Sequence, residues 1–184
     1  DGNGWFHSAL VTKKLFNLSS IIYFTGNMQA RKIFTIGHSN LSLDAFVELL
    51  KKQEISIVVD VRSQPFSSYN PQFDQANLAN HLELNSIKYK FLGDKLGGYP
   101  KYKKPSISHP LKSEPDKYQQ GISELIQIAE RERIAIMCSE GDFRECHRYY
   151  LISKTLVLQG IEVKHIQGDG SLCDNPGAQL SLEV

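Results

Sequence analysis

The densest chemistry in the chain lies in eleven residues, Cys138-Ser139-Glu140-Gly141-Asp142-Phe143-Arg144-Glu145-Cys146-His147-Arg148. Two thiols, an imidazole, carboxylates and guanidinium groups fall within a few turns of chain. A cysteine beside a helix N-terminus or a cation can lose its proton and act as a nucleophile. A cysteine at a strand end also packs readily as a small apolar residue. Three kinds of chemistry fit the segment. The C-x5-R spacing of Cys138 and Arg144 resembles the loop of cysteine phosphatases and rhodaneses, where backbone N–H groups and an arginine cradle an oxyanion. Glu140 and Asp142 would repel a phosphate there. Cys138, Cys146 and His147 offer zinc-type ligands, but C-x7-C-H lacks the usual close cysteine pair and a fourth ligand, so the sequence assigns no metal and implies no cofactor. In the third reading Arg62 and Arg148 meet the phosphate of a nucleotide, a nucleic acid or another phosphorylated substrate, while His38, Asp60 or Glu140 supplies acid–base chemistry. His147 and Arg148 would stand in the first turn of a helix, where basic groups oppose the dipole, which points to an anionic partner or to pairing with Glu145 or Asp142.

A second set of residues supports binding. Lys95-Leu96-Gly97-Gly98-Tyr99-Pro100-Lys101-Tyr102-Lys103-Lys104 interleaves lysines, glycines and tyrosines, a composition suited to phosphates with base stacking, or to a solvated basic loop. Phe66, Tyr69 and Phe73 add stacking surface or plug an edge of the domain. His81 and His109 carry no assigned role.

The elements that must position these groups follow from periodicity. Lys32 to Gly37 reads as a first strand, and Phe46, Leu49 and Leu50 recur at helical spacing after a cap at Ser42. Ile55 to Val61 is β-branched and almost wholly apolar, as expected for a central strand covered on both faces. Prolines and serines make residues 62–73 an irregular loop. A helix through Leu78, Leu82 and Leu84 leads to a short strand at Lys88–Phe91, and the stretch from Gly93 to Pro115 is too rich in Gly and Pro for regular structure. Ile122, Leu125, Ile126 and Ala129 mark another helix before a buried strand at Ile134–Met137. A last helix from Arg144 to Gln159 stops at Gly160, ahead of a strand at Ile161–Ile166. Strands joined by helices form parallel sheets, so a three-layer α/β/α sandwich with a mostly parallel sheet of about five strands is expected. In such sheets ligands bind beyond the carboxyl ends of the strands. That rim receives His38-Ser39 from the first strand, Asp60, Arg62 and Ser63 from the second, Cys138 and Glu140 from the fourth, and His165 and Asp169 from the fifth.

Bulk properties narrow the class. A chain of 184 residues that is 41% hydrophobic can bury one sizeable core. A net charge of +1 supplies no global field toward nucleic acid or membrane. The three cysteines form no disulfide framework and suit a reducing compartment, here read as the cytoplasm. The apolar residues of 1–27 are too interrupted for a membrane span, and Met28 stands just before the first strand. Residues 1–27 are therefore expected to be a non-native or disordered leader, 28–170 a single α/β domain, and 171–184 a C-terminal tail.

The chain resembles the DUF488 family of uncharacterised α/β proteins. The likeness runs through Thr35-Ile36-Gly37-His38-Ser39, Asp60-Val61-Arg62-Ser63-x-Pro65, Leu96-Gly97-Gly98, and Met137-Cys138-Ser139-Glu140 followed by Cys146-His147-Arg148. The resemblance implies an α/β fold and one shared site, but no reaction. In the tail, Gln179-Leu180-Ser181-Leu182 resembles the start of a bacterial sliding-clamp-binding peptide, although Glu183 stands where an aromatic would be wanted. The expected function is an enzyme acting on a nucleotide, nucleic acid or other phosphorylated substrate, with Cys138, Glu140, Cys146, His147, His38 and Asp60 in the chemistry. Arg62, Ser39, Ser63, Lys95, Gly97, Gly98 and Arg148 would hold the substrate. The alternatives are a non-catalytic nucleic-acid or nucleotide-binding module and a phosphatase- or rhodanese-like cysteine enzyme.

Overall fold

In a computed structural model the described residues are 32–98 and 115–175. The leader at 1–27, the loop from Tyr99 to Lys104, His109 and the Gln179–Leu182 motif lie outside them. The β-branched runs form the strands β1 (Lys32–Gly37), β2 (Ile57–Asp60), β3 (Lys88–Phe91), β4 (Ile134–Cys138) and β5 (Glu162–Ile166), all parallel. A sixth strand, β6 (Leu172–Asp174), adds antiparallel to β5 within the segment read as tail, and the sheet order is β3-β2-β4-β1-β5-β6. Three residues are too few to show a period in sequence. The observed architecture is α/β with a six-stranded, mostly parallel sheet between two helical layers, as the alternation of periods predicts.

The helices divide between the faces. Helix α1 (Leu43–Lys52) is capped by Ser42, whose side chain accepts from the Ala45 N–H, and it shares one core with α2 (Gln75–Leu84) through Phe46, Leu50, Leu78 and Leu82. Helices α3 (Gly93–Leu96), α4 (Pro115–Ala129) and α5 (Lys154–Leu158) pack on the other face through Leu96, Tyr118, Ile122, Leu125 and Leu156. Successive strand residues point to opposite faces, so Val58, Ala135 and Met137 belong to the first core and Val59, Ile136 and Cys138 to the second. Among the described residues no helix is long and apolar enough to cross a membrane.

Two local expectations are corrected. The Gly93–Pro115 stretch is not wholly irregular: α3 occupies its start and Pro115 is the first residue of α4. Proline suits that position, since a helix's first N–H has no intrahelical partner. The single helix expected from Arg144 to Gln159 is three pieces: a 3-10 turn at Phe143–Glu145, a π-helical segment at Arg148–Ser153, and α5. The Ser153 hydroxyl donates to the Arg148 carbonyl five residues back at 2.6 Å, matching the wider turn. Such insertions re-aim side chains and occur often at functional sites.

Topology places the site. The chain leaves β1 for β2 on one side of the sheet, whereas it leaves β4 for β5 on the other, and α1 and α5 lie on opposite faces. β1 and β4 are neighbours with Gly37 beside Cys138 in register, and just past the strand ends the chains stay paired, the His38 N–H donating to the Cys138 carbonyl at 3.1 Å and the Ser39 N–H to the Ser139 carbonyl at 3.0 Å. Gly37 is required there. A Cβ on it would meet the Glu140 carbonyl oxygen at 1.7 Å, since the turn after β4 folds over the end of β1.

Candidate functional site

The carboxyl ends of the strands hold two polar clusters, one over each face. The first collects Cys138 from the end of β4, Glu140 from the turn, and Cys146 and His147 from just before the π-helical segment. Cys138 Sγ lies 3.1 Å from Glu140 Oε2 and 3.7 Å from His147 Nδ1, and Cys146 Sγ is also 3.7 Å from Nδ1. Both thiols are buried. His147 Nε2 is 3.2 Å from the Val61 carbonyl oxygen, which can only accept, so Nε2 carries the proton and the Nδ1 lone pair faces the sulfurs. Burial, with Cys138 as neighbour, pushes the Cys146 thiol well above its ordinary pKa and keeps it protonated. Gly98 lies flat against the imidazole, where an added Cβ would come within 2.6 Å of His147 Cγ.

Cys146 does not sit in a first helical turn as expected. Its backbone is extended (φ −118°, ψ 144°), which turns the thiol back toward Cys138 and lets the Arg148 N–H donate to its sulfur at 3.5 Å. Arg148 is 1% exposed and pairs with neither Glu145 nor Asp142. It donates instead to the Glu140 carbonyl at 2.7 Å and the Gly141 carbonyl at 3.2 Å, clamping the turn that carries Glu140. Its Nε is buried without a hydrogen-bond partner among the described residues. Arg144 turns outward to Asp142 at 3.0 Å, 68% exposed, and the C-x5-R cradle around Cys138 does not form.

The second cluster lies over the other face. Asp60, fully buried, takes a bidentate ion pair from Arg62 (Nη2 to Oδ2 2.7 Å, Nε to Oδ1 3.0 Å), the Arg62 N–H at 3.0 Å and the Tyr89 hydroxyl at 2.8 Å. Burial and the adjacent carboxylate drive the Tyr89 phenol well above its ordinary pKa. Arg62 Nη2 also donates to the Phe73 carbonyl at 2.9 Å. Phe73 stacks on His38, ring centroids 4.3 Å apart, and is the buried aromatic of its loop, whereas Phe66 and Tyr69 are exposed. His38 Nδ1 bonds the Ser39 carbonyl at 2.8 Å, while its buried Nε2 has no partner. Burial lowers the His38 pKa, so Nε2 is a free acceptor at neutral pH.

The remaining predicted residues stand at the strand-end rim or leave it. Ser39 takes the left-handed region (φ 46°) beside Gly141, a strained backbone for serine at the rim. Ser63 touches Gly97. Lys95 turns away to Glu124 on α4 at 2.7 Å, so its ammonium does not face the rim. His165 fills a buried chain between Thr35 (2.7 Å) and Asn175 (3.1 Å), and its ring stacks on Phe143 at 3.8 Å. Sequence reading missed the Val61 carbonyl, which sets the tautomer of His147. No side-chain signal marks a carbonyl, although its place just after the β2 strand end could have suggested it.

A family model described as "Domain of unknown function DUF488" matches residues 42–155, more than half of the 184-residue chain. The matched span contains both Asp60-Arg62 and the Cys138–Arg148 turn, and begins after Gly37, His38 and Ser39. No curated protein and no solved structure matches the chain.

Proposed function

We propose that this chain, which belongs to the DUF488 family, is an enzyme whose reaction centre is the cluster of Cys138, Glu140, Cys146 and His147. The observation that carries the reading is the convergence on one sulfur: Cys138 Sγ has a carboxylate oxygen at 3.1 Å and an imidazole lone pair at 3.7 Å. Proton donors and acceptors within reach of one another, at the carboxyl ends of parallel strands, are what acid–base catalysis needs. Glu140 is the group that moves protons. Its turn is held by Arg148, and the His147 ring is fixed by Val61 and Gly98, so the groups are positioned before substrate arrives.

The substrate is proposed to be a nucleotide, nucleic acid or other phosphorylated molecule whose reacting atom enters between Cys138 and Glu140. Any phosphate it carries must lie away from Cys138, because the carboxylate beside the sulfur repels it. The rest of the substrate would run along the rim that carries Ser39, Ser63, Gly97 and Gly98. The test is a turnover screen against nucleotides and phosphorylated metabolites, with wild type, Glu140→Gln and Cys138→Ala measured side by side. The expected result is an activity that both substitutions lower by at least about 100-fold, the low end for a positioned proton-transfer group, with melting temperatures preserved. A wild-type activity that survives both substitutions would overturn the proposal.

A further inference from the structure

We infer that Cys138 Sγ, Cys146 Sγ and His147 Nδ1 together bind one divalent transition-metal ion of the zinc class, with its fourth position open beside Glu140. The inference rests on the reading of this cluster as the reaction centre and names the species that would occupy it.

The three ligand atoms lie within 4.8 Å of one another, and each sulfur is 3.7 Å from the same nitrogen. Two ligands on one tetrahedral zinc, with Zn–S of about 2.3 Å and Zn–N of about 2.0–2.1 Å, stand roughly 3.6 Å apart. The observed spacing therefore admits an ion with small movements. Both sulfurs converge on the single Nδ1 lone pair, while Cys138 also has the Glu140 carboxylate as its proton acceptor. The surrounding bonds are those of a ligand set. The Val61 carbonyl holds the proton on Nε2, as outer partners do for metal-bound histidine, and the Arg148 N–H donates to the Cys146 sulfur. Sulfur and imidazole donors select zinc-like ions over magnesium or calcium, which take oxygen.

Charge balances as well. Binding releases one proton from Cys138 and one from Cys146, and two thiolates neutralise the dication, while His147 contributes its existing lone pair. Among the described residues the cluster has three such ligands rather than four, the pattern of a site that keeps a position for water or substrate. Glu140, 3.1 Å from Cys138 Sγ, stands next to that position as a proton acceptor rather than a fourth ligand. A His/Cys/Cys ion with a neighbouring, non-ligating glutamate is the arrangement that activates water for attack on a nucleobase carbon in zinc deaminases. That chemistry fits a nucleobase-bearing substrate and explains how an acidic cluster could serve one.

The experiment uses the full chain, stripped of metal and titrated with Zn²⁺ against a chromogenic chelator, then with Co²⁺ while its visible and sulfur-to-metal absorption is recorded. One equivalent of Zn²⁺ and a tetrahedral cobalt–thiolate spectrum are expected. Cys138→Ser, Cys146→Ser and His147→Ala should each weaken Zn²⁺ by more than the 10–100-fold that outer-shell changes cause. Cys173→Ser should leave affinity unchanged and Glu140→Gln should leave it within about 10-fold. The cobalt spectrum of wild type needs no substitution, so a variant that fails to fold does not decide the matter. Substoichiometric zinc, a cobalt spectrum without thiolate bands, or affinity retained in Cys138→Ser would overturn the metal site. The two readings fail separately: turnover that depends on Glu140 without bound metal removes only the ion, whereas stoichiometric zinc with turnover indifferent to Glu140→Gln removes only the catalytic centre.

Discussion

The carboxyl ends of β2 and β4 are neighbours in the sheet, with Asp60 paired in register to Met137, yet the polar groups one step apart on the two strands do opposite things. At the end of β2, Asp60 and Arg62 have complementary partners: the carboxylate meets a guanidinium, a backbone N–H and a phenol, with both charged groups buried and Tyr89 half-buried. At the end of β4, the Cys138 thiol faces a carboxylate and a lone pair, and a second thiol crowds in. A saturated ion pair holds its loop in place, whereas the Cys138 cluster is the one proposed as the reaction centre.

The widest gap between the clusters should appear in stability. Asp60→Ala leaves Arg62 buried without its carboxylate, and breaking one side of a buried pair costs about 3–5 kcal/mol. The denaturation midpoint of Asp60→Ala in urea should fall accordingly, while Cys138→Ala stays within about 2 kcal/mol of wild type, since only a small thiol is lost. A mild effect of Asp60→Ala would mean that the β2 pair is not a structural anchor.

Activity should show the reverse. Glu140→Gln keeps shape and removes the proton acceptor, so turnover should drop by about 10²–10⁴-fold with a melting curve close to wild type. Equal losses of stability and turnover would dissolve the distinction between the two ends.

Much of this was legible from residues alone. The periods gave five strands and the order of helices, Ser42 gave the first cap, and the rule of strand ends gathered Cys138, Glu140, His38 and Asp60 at one rim. The parity of side chains across strands was not legible, because it depends on register. Asp60 and Cys138 are one register step apart, so they face opposite layers, and what reads as one rim of polar residues is two clusters. The arginines misled for a related reason. Guanidinium groups near a strand end suggest anions, but Arg62 is committed to Asp60 and Arg148 to two backbone carbonyls, neither of which side-chain patterns reveal. Cys138, Cys146 and His147 were legible as zinc-type ligands, but their convergence was not, since a turn with a 3-10 segment, and not a close cysteine pair, brings them together.

On β5, beyond β1 from both clusters, His165 gives the comparison a pH axis. Burial, aided by Arg148, lowers its pKa from 6.5 to about 4, so the folded protein holds it neutral. The unfolded chain takes up this proton near pH 6.5 and the folded chain only near pH 4. The resulting stability is complete above pH 6.5 and declines as pH falls toward 4, by about 3 kcal/mol in all. Urea unfolding of wild type and His165→Gln across that window should show a shallower decline in the variant. Parallel declines would place the titrating group elsewhere.

The smallest expected effect tests how far the β2 cluster is complete. The Tyr89 hydroxyl donates to Asp60 Oδ2 at 2.8 Å from β3, and a hydrogen bond to a charged group contributes about 1.5–3 kcal/mol. In Tyr89→Phe the carboxylate keeps Arg62 and the backbone N–H, so the loss should fall at the low end of that range and well short of Asp60→Ala. Turnover should be unchanged, because Tyr89 sits over the face opposite Cys138. Phenol and guanidinium are bound to the same oxygen, so their contributions need not add, and the double variant Tyr89→Phe/Asp60→Ala should cost little more than Asp60→Ala alone. Were Tyr89→Phe instead to lower turnover with little loss of stability, the ion pair would be coupled to the chemistry across the sheet, and the two strand ends would have to be read as one site.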